Sequence, residues 1–114
     1  MYNIVKYNGG NVNGLKGFQK KYLRGLAHSK KPLVIIGQKG LTPALLNATD
    51  EALDTHELIK VKFNEFKEKE QKEAVVNIIE KEISAELVGM IGHVAIFYRC
   101  QKDPEKRRIT IPKR

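Results

Sequence analysis

The chain has 114 residues, of which 41% are hydrophobic and 30% are charged, and this suits a single folded domain with one core. No apolar run approaches the roughly 20 residues of a membrane-spanning helix, and the N-terminus lacks the apolar region of a secretory signal. The single cysteine, Cys100, excludes an internal disulfide framework and fits a reducing compartment, so we expect a soluble cytoplasmic protein.

The net charge of +8 is distributed unevenly along the chain. Residues 1–49 contain eight Lys or Arg and no Asp or Glu, whereas residues 50–114 contain thirteen residues of each sign. The segment from Arg99 to Arg114 is basic again, with seven positive residues against Asp103 and Glu105. This asymmetry indicates a polyanionic partner.

The first predicted element is a helix over residues 15–28, preceded by a flexible, Asn- and Gly-rich arm over residues 1–14. Apolar residues at helical spacing form its expected core stripe: Leu15, Phe18, Tyr22 and Leu26. Basic-type residues recur every four positions on another face, with Lys21 beside them: Lys16, Lys20, Arg24 and His28. Like charges at this spacing repel each other, so this acid-free face is interpreted as a binding surface.

A short strand and a glycine loop come next, after the basic turn that contains Lys30 and Lys31. Residues 33–36 form an apolar run rich in β-branched residues, and we expect them to form a buried strand. The loop G-Q-K-G consists of Gly37, Gln38, Lys39 and Gly40. Thr42 can cap a following helix over residues 42–55, and Pro43 suits its first position. Glycines let the backbone approach a ligand and helix amides favour an anion, so the loop is a candidate phosphate site.

The remaining periodicities predict a strand over residues 57–63, a helix over 67–84 and two strands over 85–91 and 93–99. The expected core positions on the second helix are Leu45, Thr49, Ala52 and Leu53, and those on the third are Val75, Val76, Ile79 and Ile83. In the strand over 57–63, Ile59, Val61 and Phe63 share one side, and Leu58 departs from this alternation.

The order α-β-α-β-α-β-β predicts an α/β single domain over residues 15–114 with a mixed four-stranded sheet packed by helices. Each strand–helix–strand unit favours parallel pairing. The last two strands, joined at Gly92, are predicted to pair antiparallel or to form a bent ribbon. Residues 109–111 could extend the edge of the sheet.

The sequence contains no recognisable metal or catalytic constellation. Its three histidines are far apart, and one cysteine provides no CxxC pair. The glycine loop lacks the spacing of a Walker A motif and the third glycine of a dinucleotide fingerprint. Cys100, beside Arg99 at a strand end, is interpreted as a packing residue rather than a nucleophile. We therefore expect no enzymatic activity, no cofactor and no metal.

Several motifs occur in a characteristic order: L-K-G over 15–17, L-R-G-L-A-H over 23–28, I-G-Q-K-G-L-T over 36–42, D-E-A-L over 50–53 and H-E-L-I-K-V-K over 56–62. With Gly92, Val94, Tyr98, Ile109 and Pro112, they make residues 15–112 resemble the CRM-domain, YhbY-like RNA-binding proteins. The resemblance implies a fold similar to the C-terminal domain of translation initiation factor three. It also implies RNA binding through the GxxG loop and, in bacteria, association with precursors of the large ribosomal subunit. Thr49 departs from the family, which usually has an aliphatic residue there.

The expected RNA-binding residues combine this resemblance with the charge pattern: Lys16, Lys20, Lys21, Arg24, Lys30, Lys31, Gly37, Gln38, Lys39 and Gly40. Loop amides and Lys39 are expected to hold phosphates, while the first helix extends the positive track. Phe18 and Tyr22 are expected in the core, and no RNA contact is assigned to the mixed-charge segment after Phe63.

The expected partner is therefore RNA, namely ribosomal RNA in precursor large subunits, and the protein is expected to be a monomer without a membrane partner. Two other classes of function stay open on the sequence alone. One is a module that docks an acidic protein without binding RNA directly. The other is an enzyme acting on a phosphorylated small molecule at the loop, although catalytic groups for it are lacking.

Overall fold

The computed structural model describes residues 14–113, so the predicted arm lies outside the described residues except for Gly14. Within this range the helices are α1 (Gly17–Ala27), α2 (Pro43–His56) and α3 (Lys69–Ile83). The strands are β1 (Val34–Ile36), β2 (Leu58–Phe63), β3 (Glu86–Ile91) and β4 (Val94–Tyr98), followed by a 3-10 turn at Pro104–Lys106. The predicted order of elements and the α/β class are confirmed.

The four strands form one mixed sheet in the order β1-β2-β4-β3. β1 and β2 pair parallel, as predicted, and β4 pairs antiparallel with both β2 and β3. β2 and β3 run in the same direction but are not neighbours, so the parallel pairing expected for this second unit is wrong. The reason is that β4, whose residues 95–98 are all buried, takes the interior position that β3 would otherwise occupy.

The sheet separates two apolar clusters rather than covering one core. α2 and α3 pack on one face, where the cluster includes Ile59, Phe63, Leu53, Ile79 and Phe97. The other face carries α1 and the C-terminal segment, with Leu23, Leu58, Ile96, Tyr98 and Cys100. Leu58 departs from the alternation of β2 because its side chain belongs to this second cluster.

β1 is covered on one face only, which corrects the prediction of a buried strand. Val34 and Ile36 are buried against α2 and α3, whereas Ile35 is 49% exposed on the opposite face. Leu33, just before the strand, is also exposed. The strand is three residues long and lies at the edge of the sheet, and α1 makes its main contacts with β2, β3 and β4 instead.

α1 buries a different stripe from the predicted one. Leu23 and Ala27 are fully buried against the sheet, whereas Tyr22 is 43% exposed and Phe18 is half-buried. The small Ala27 lets the helix lie close to the strands, whereas Tyr22 and Leu26 of the predicted stripe are exposed. The expectation that Tyr22 belongs to the core is therefore wrong.

Glu57 holds the C-terminal segment against the sheet. It is buried immediately before β2, with φ +64°, and its carboxylate accepts the N–H groups of Gln101, Arg108 and Ile109 at 2.9, 2.7 and 3.1 Å. These bonds occupy backbone donors that an edge strand would use. The segment 109–111 accordingly forms no strand, contrary to expectation, and contributes Ile109 and Ile111 to the second cluster.

Replacing Glu57 by glutamine is expected to lower the free energy of unfolding by about 1–3 kcal/mol, because its amide nitrogen would face a backbone N–H that it cannot accept from. Urea unfolding measures this change, and limited proteolysis should cleave residues 101–113 sooner. Glu105→Gln, on an exposed residue of the same segment, is the control. Unchanged stability and unchanged proteolysis in Glu57→Gln would contradict the role of this carboxylate.

Candidate nucleic-acid interface

The glycine loop turns the chain from β1 into α2 at one end of the sheet. Inside it, the Gly40 N–H donates to the Gly37 carbonyl at 3.0 Å, and the Thr42 N–H donates to the Gly40 carbonyl at 3.2 Å. The Thr42 hydroxyl caps α2 by accepting the Leu45 N–H at 3.1 Å, and Pro43 holds the first helical position, both as predicted. Gln38 and Lys39 are exposed at the tip.

These internal bonds change which part of the loop can meet a phosphate. The amides of Gly40, Thr42 and Leu45 serve the loop and the helix cap, rather than pointing at a ligand. A shallow, open depression of about 550 Å³ is lined by the loop and the start of α2 (residues 37–40, 42, 44 and 45), and Gln38 and Lys39 are its exposed loop residues. The tip, with Gln38 and Lys39, is therefore the part of the loop best placed for an anion.

The two glycines of the loop have different roles. Gly40 has φ +71°, and a Cβ there would lie 3.0 Å from Cε2 of Phe66, so this glycine is needed by the fold. Gly37 has no left-handed φ, and a Cβ added there would meet no atom within 4 Å beyond its own chain neighbours. Gly37 is therefore the glycine whose missing side chain leaves room for a ligand.

The segment after β2 supports the loop, which the sequence alone did not indicate. The N–H groups of Asn64 and Glu65 both donate to the Ile36 carbonyl, at 3.0 and 3.1 Å. Phe66, with φ +57°, places its ring beneath Gly40. Phe66 and Gly40 are far apart in the sequence, and no local pattern predicts their contact.

The basic residues of α1 are available to different degrees. Lys16 and Lys21 are exposed, whereas Lys20 Nζ lies 3.8 Å from Glu86 Oε2. The aliphatic part of Arg24 crosses Gly89, where a Cβ would come within 2.6 Å of Arg24 Cδ. The Arg24 guanidinium donates to the Val88 carbonyl at 2.9 Å. Lys20 and Arg24 thus anchor α1 to β3 as well as contributing positive charge.

Lys30 and Lys31 are exposed in the turn between α1 and β1, and Lys60 stabilises this turn. The Lys60 ammonium donates to the carbonyls of His28 at 3.3 Å and Lys30 at 2.9 Å. Its positive charge also interacts favourably with the partial negative charge at the C-terminal end of α1. Lys62 lies exposed on the same face of β2. The alternation of β2 could have identified this pair, because it places both lysines opposite Ile59 and Val61.

Sheet register shows how the basic helix and the loop are related. On the α1 face, Gly89, Ile96 and Lys60 lie side by side on neighbouring strands and form one row across the sheet. α1 covers this row: its Arg24 lies over Gly89, and its C-terminal end lies near Lys60. The next row contains Lys62 and ends at Ile35, two residues before Gly37. Arg24 therefore lies over β3 at one edge of the sheet, and β2 and β4 separate it from β1, the strand at the other edge that leads into the loop.

Arg99 and Cys100, at the end of β4, are removed from this surface. Arg99 is buried, so it is not part of the exposed basic tail that the sequence suggested. Cys100 packs in the second cluster, and burial raises the pKa of its thiol above the ordinary value. Burial likewise raises the pKa of the Tyr98 hydroxyl, so both groups stay protonated at neutral pH.

Neither a metal cluster nor a membrane span occurs within residues 14–113. No group of three or more His, Cys, Asp or Glu side chains in this part of the chain could hold a metal ion. None of the helices described is both long enough and apolar enough to cross a membrane.

Comparison with known proteins gives a consistent result. Residues 15–99 match the sequence model of the CRS1 / YhbY (CRM) domain. The chain is 40% identical over 96 residues to a Haemophilus influenzae protein named "RNA-binding protein", covering 84% of this chain and 93% of that protein. It is 34% identical over 98 residues to "Probable RNA-binding protein YqeI" of Bacillus subtilis, covering 86% of this chain and 99% of that protein.

A solved structure agrees with these matches. The solution structure of the hypothetical protein SAV1595 from Staphylococcus aureus is similar, with a TM-score of 0.71 and 31% sequence identity, over 87% of this chain and 100% of that chain. The family predicted from the motifs is confirmed. The chain belongs to the CRS1/YhbY (CRM) domain family.

Proposed function

We propose that this protein binds RNA by gripping its phosphate backbone between the tip of the GxxG loop and the basic surface of α1. The observation that carries this proposal is the open space around Gly37 beside the exposed Lys39. A backbone without a side chain next to an exposed cation suits close approach of a phosphate. The names of the Haemophilus and Bacillus relatives support RNA as the polyanion.

The proposed contacts fall into three groups. Gly37, Gln38 and Lys39 meet the backbone directly, and Gly40 shapes the loop. The exposed lysines Lys16, Lys21, Lys30 and Lys31 add accessible positive charge, and Lys20 and Arg24 add charge from anchored positions. Because these groups recognise phosphates rather than base edges, sequence specificity from them should be modest.

The proposed setting is assembly of the large ribosomal subunit, in which a cytoplasmic monomer binds ribosomal RNA in precursor particles and performs no reaction. The resemblance to YhbY-like proteins supports this setting. Sucrose-gradient sedimentation of the endogenous protein, before and after RNase, is the test. We expect co-sedimentation with large-subunit precursors that RNase abolishes. A complex with protein that survives RNase would instead indicate docking on an acidic protein.

Gly37→Asp is expected to weaken RNA binding by roughly tenfold, because a carboxylate about 4 Å from a phosphate costs on the order of 1–4 kcal/mol. Gly37→Ala, which adds only a methyl group in open space, should have a smaller effect, as should Lys39→Ala. Fluorescence anisotropy with labelled RNA measures the affinities, and thermal melting checks the fold. Wild-type affinity in a folded Gly37→Asp protein would exclude phosphate approach at this loop.

A further inference from the structure

A row of side chains crosses all four strands on the face of the sheet that carries α1. The register pairs Ile35 with Lys62, Lys62 with Val94 and Val94 with Ile91. Ile91 is 63% exposed, Ile35 and Lys62 are also exposed, and Val94 is half-buried. We call these four residues the open row. Paired residues of a sheet point to the same side, so three aliphatic side chains and one lysine form a continuous strip.

The open row lies between the two parts of the proposed RNA interface, and we call the strip of surface along it the trough. On one side lies the row that α1 covers, with the Arg24 side chain over Gly89, two residues before Ile91. On the other side the strands end, and Gly37 begins the loop two residues after Ile35. The Phe63 N–H bonds the His93 carbonyl at 2.8 Å, so the hairpin turn at Gly92 and His93 borders the same end.

The composition of this trough points to one kind of occupant. Its floor is apolar except for Lys62, and the four residues of the open row include no acidic side chain. Arg24 lies over the neighbouring row, and Lys39 is exposed in the loop that follows Ile35 and Ile36. Adjacent strands lie about 4.8 Å apart, so the strip is about 14 Å long. A ligand that presents apolar faces and negative charge together would match both features.

We infer that unpaired bases of bound RNA lie on the open row while Arg24, Lys39 and Lys62 hold the flanking phosphates. This inference rests on the proposed function and deepens it, since it names single-stranded RNA as the ligand. In an A-form duplex the bases are stacked inside and present no free apolar face, whereas splayed bases in single strands do. An aliphatic floor reads no base edges, so the expected preference is for unpaired RNA of any sequence.

The test compares single-stranded and duplex RNA of equal length and label by fluorescence anisotropy. The variant is the double substitution Ile35→Thr and Ile91→Thr, which keeps β-branched side chains in the strands and removes apolar contact. The matched control is Ile78→Thr on α3, which is 43% exposed on the opposite side of the sheet. Wild type should bind the single strand more tightly, and the double variant should lose about fivefold or more of that affinity. Duplex affinity, and both affinities of the control, should stay unchanged.

A folded double variant with wild-type affinity for the single strand would overturn the inference, as would an equal loss for both RNAs or a wild-type preference for duplex.

Sedimentation of the RNA-free protein adds a further outcome. Self-association that the double variant abolishes would mean that a second copy of the protein covers the open row, and this would also overturn the inference. If wild type binds neither RNA, the proposed function fails. If it binds both RNAs equally and the double variant matches it, only this inference fails.

Crosslinking of wild type to RNA containing 4-thiouridine gives a readout that needs no variant. Peptides that contain the open row, from β1, β2 and the β3–β4 hairpin, should carry the crosslinks. Crosslinks confined to α3 or to residues 101–113 would overturn the inference.

Discussion

Replacing Arg99 by alanine is expected to lower the free energy of unfolding by about 3 kcal/mol. Arg99 is 4% exposed, and its guanidinium donates to Asp50 Oδ1 at 2.6 Å and to Asp54 Oδ1 at 2.8 Å. It also donates to the carbonyls of Ile83 at 2.7 Å and Asp50 at 2.9 Å. One side chain therefore joins α2, the end of α3 and β4. Water can solvate the two partly exposed carboxylates after the substitution, which places the loss at the lower end of the range for buried pairs.

Urea unfolding of the Arg99→Ala protein measures this loss. Arg99→Lys keeps the charge but cannot reproduce a planar fork that reaches four acceptors, so an intermediate value is expected. Lys106→Ala, on an exposed residue of the same basic segment, should change stability little. A loss below about 1 kcal/mol in Arg99→Ala, as for a surface ion pair, would show that this cluster does not hold the elements together.

Reversing four exposed lysines near the loop and α1 is expected to weaken RNA binding on the order of a hundredfold at physiological salt, with little change in melting temperature. The substitutions are Lys16→Glu, Lys21→Glu, Lys31→Glu and Lys39→Glu. All four side chains are exposed, so the fold does not depend on burying them. Lys20 and Arg24 are left in place because they also contact Glu86 and the Val88 carbonyl.

The matched control reverses four exposed lysines elsewhere: Lys67, Lys69, Lys106 and Lys113. Both quadruple variants change the formal net charge from +8 to zero, so the comparison separates the position of charge from its total. Affinity should fall much further in the first variant. Equal losses in the two variants would mean that RNA responds only to net charge, and the proposed interface would be wrong.

The elements whose formation depends on local sequence were predictable. Thr42 and Pro43 mark the start of α2 because the cap needs only the next three residues. Val75, Val76 and Ile79 are buried as their helical spacing predicts. In α2, Thr49 is buried, and its hydroxyl meets the Leu45 carbonyl at 2.8 Å, which satisfies the polar group within the same helix.

The features that depend on contacts between distant segments were not predictable from periodicity. The spacing of Tyr22 and Leu26 suits a buried stripe, but the side of α1 that faces the sheet is set by Leu58 and Ile96 on other elements. Ile35 belongs to an apolar run, yet it is exposed because α1 makes its main contacts with β2, β3 and β4. Arg99 stands in a basic segment, and only the approach of α2 shows that its charge is internally paired.

The candidate site shows the same division. The G-Q-K-G motif identified the loop. The difference between Gly37 and Gly40, however, depends on Phe66, which lies in the segment after β2. The basic face of α1 was evident from Lys16 and Lys21. The contact of Arg24 with Gly89 was not evident from the sequence, because it depends on the pairing of β3 with β4.

The salt dependence of wild-type affinity for single-stranded RNA tests the proposed grip on the phosphate backbone most directly. Each neutralised phosphate contributes a slope of about −0.7 to the plot of log binding constant against log salt concentration. We expect a steep, linear decrease for wild type, and a slope shallower by up to about 3 for the variant with Lys16, Lys21, Lys31 and Lys39 reversed. An affinity for RNA that does not change with salt, or the same slope in both proteins, would contradict binding through these lysines.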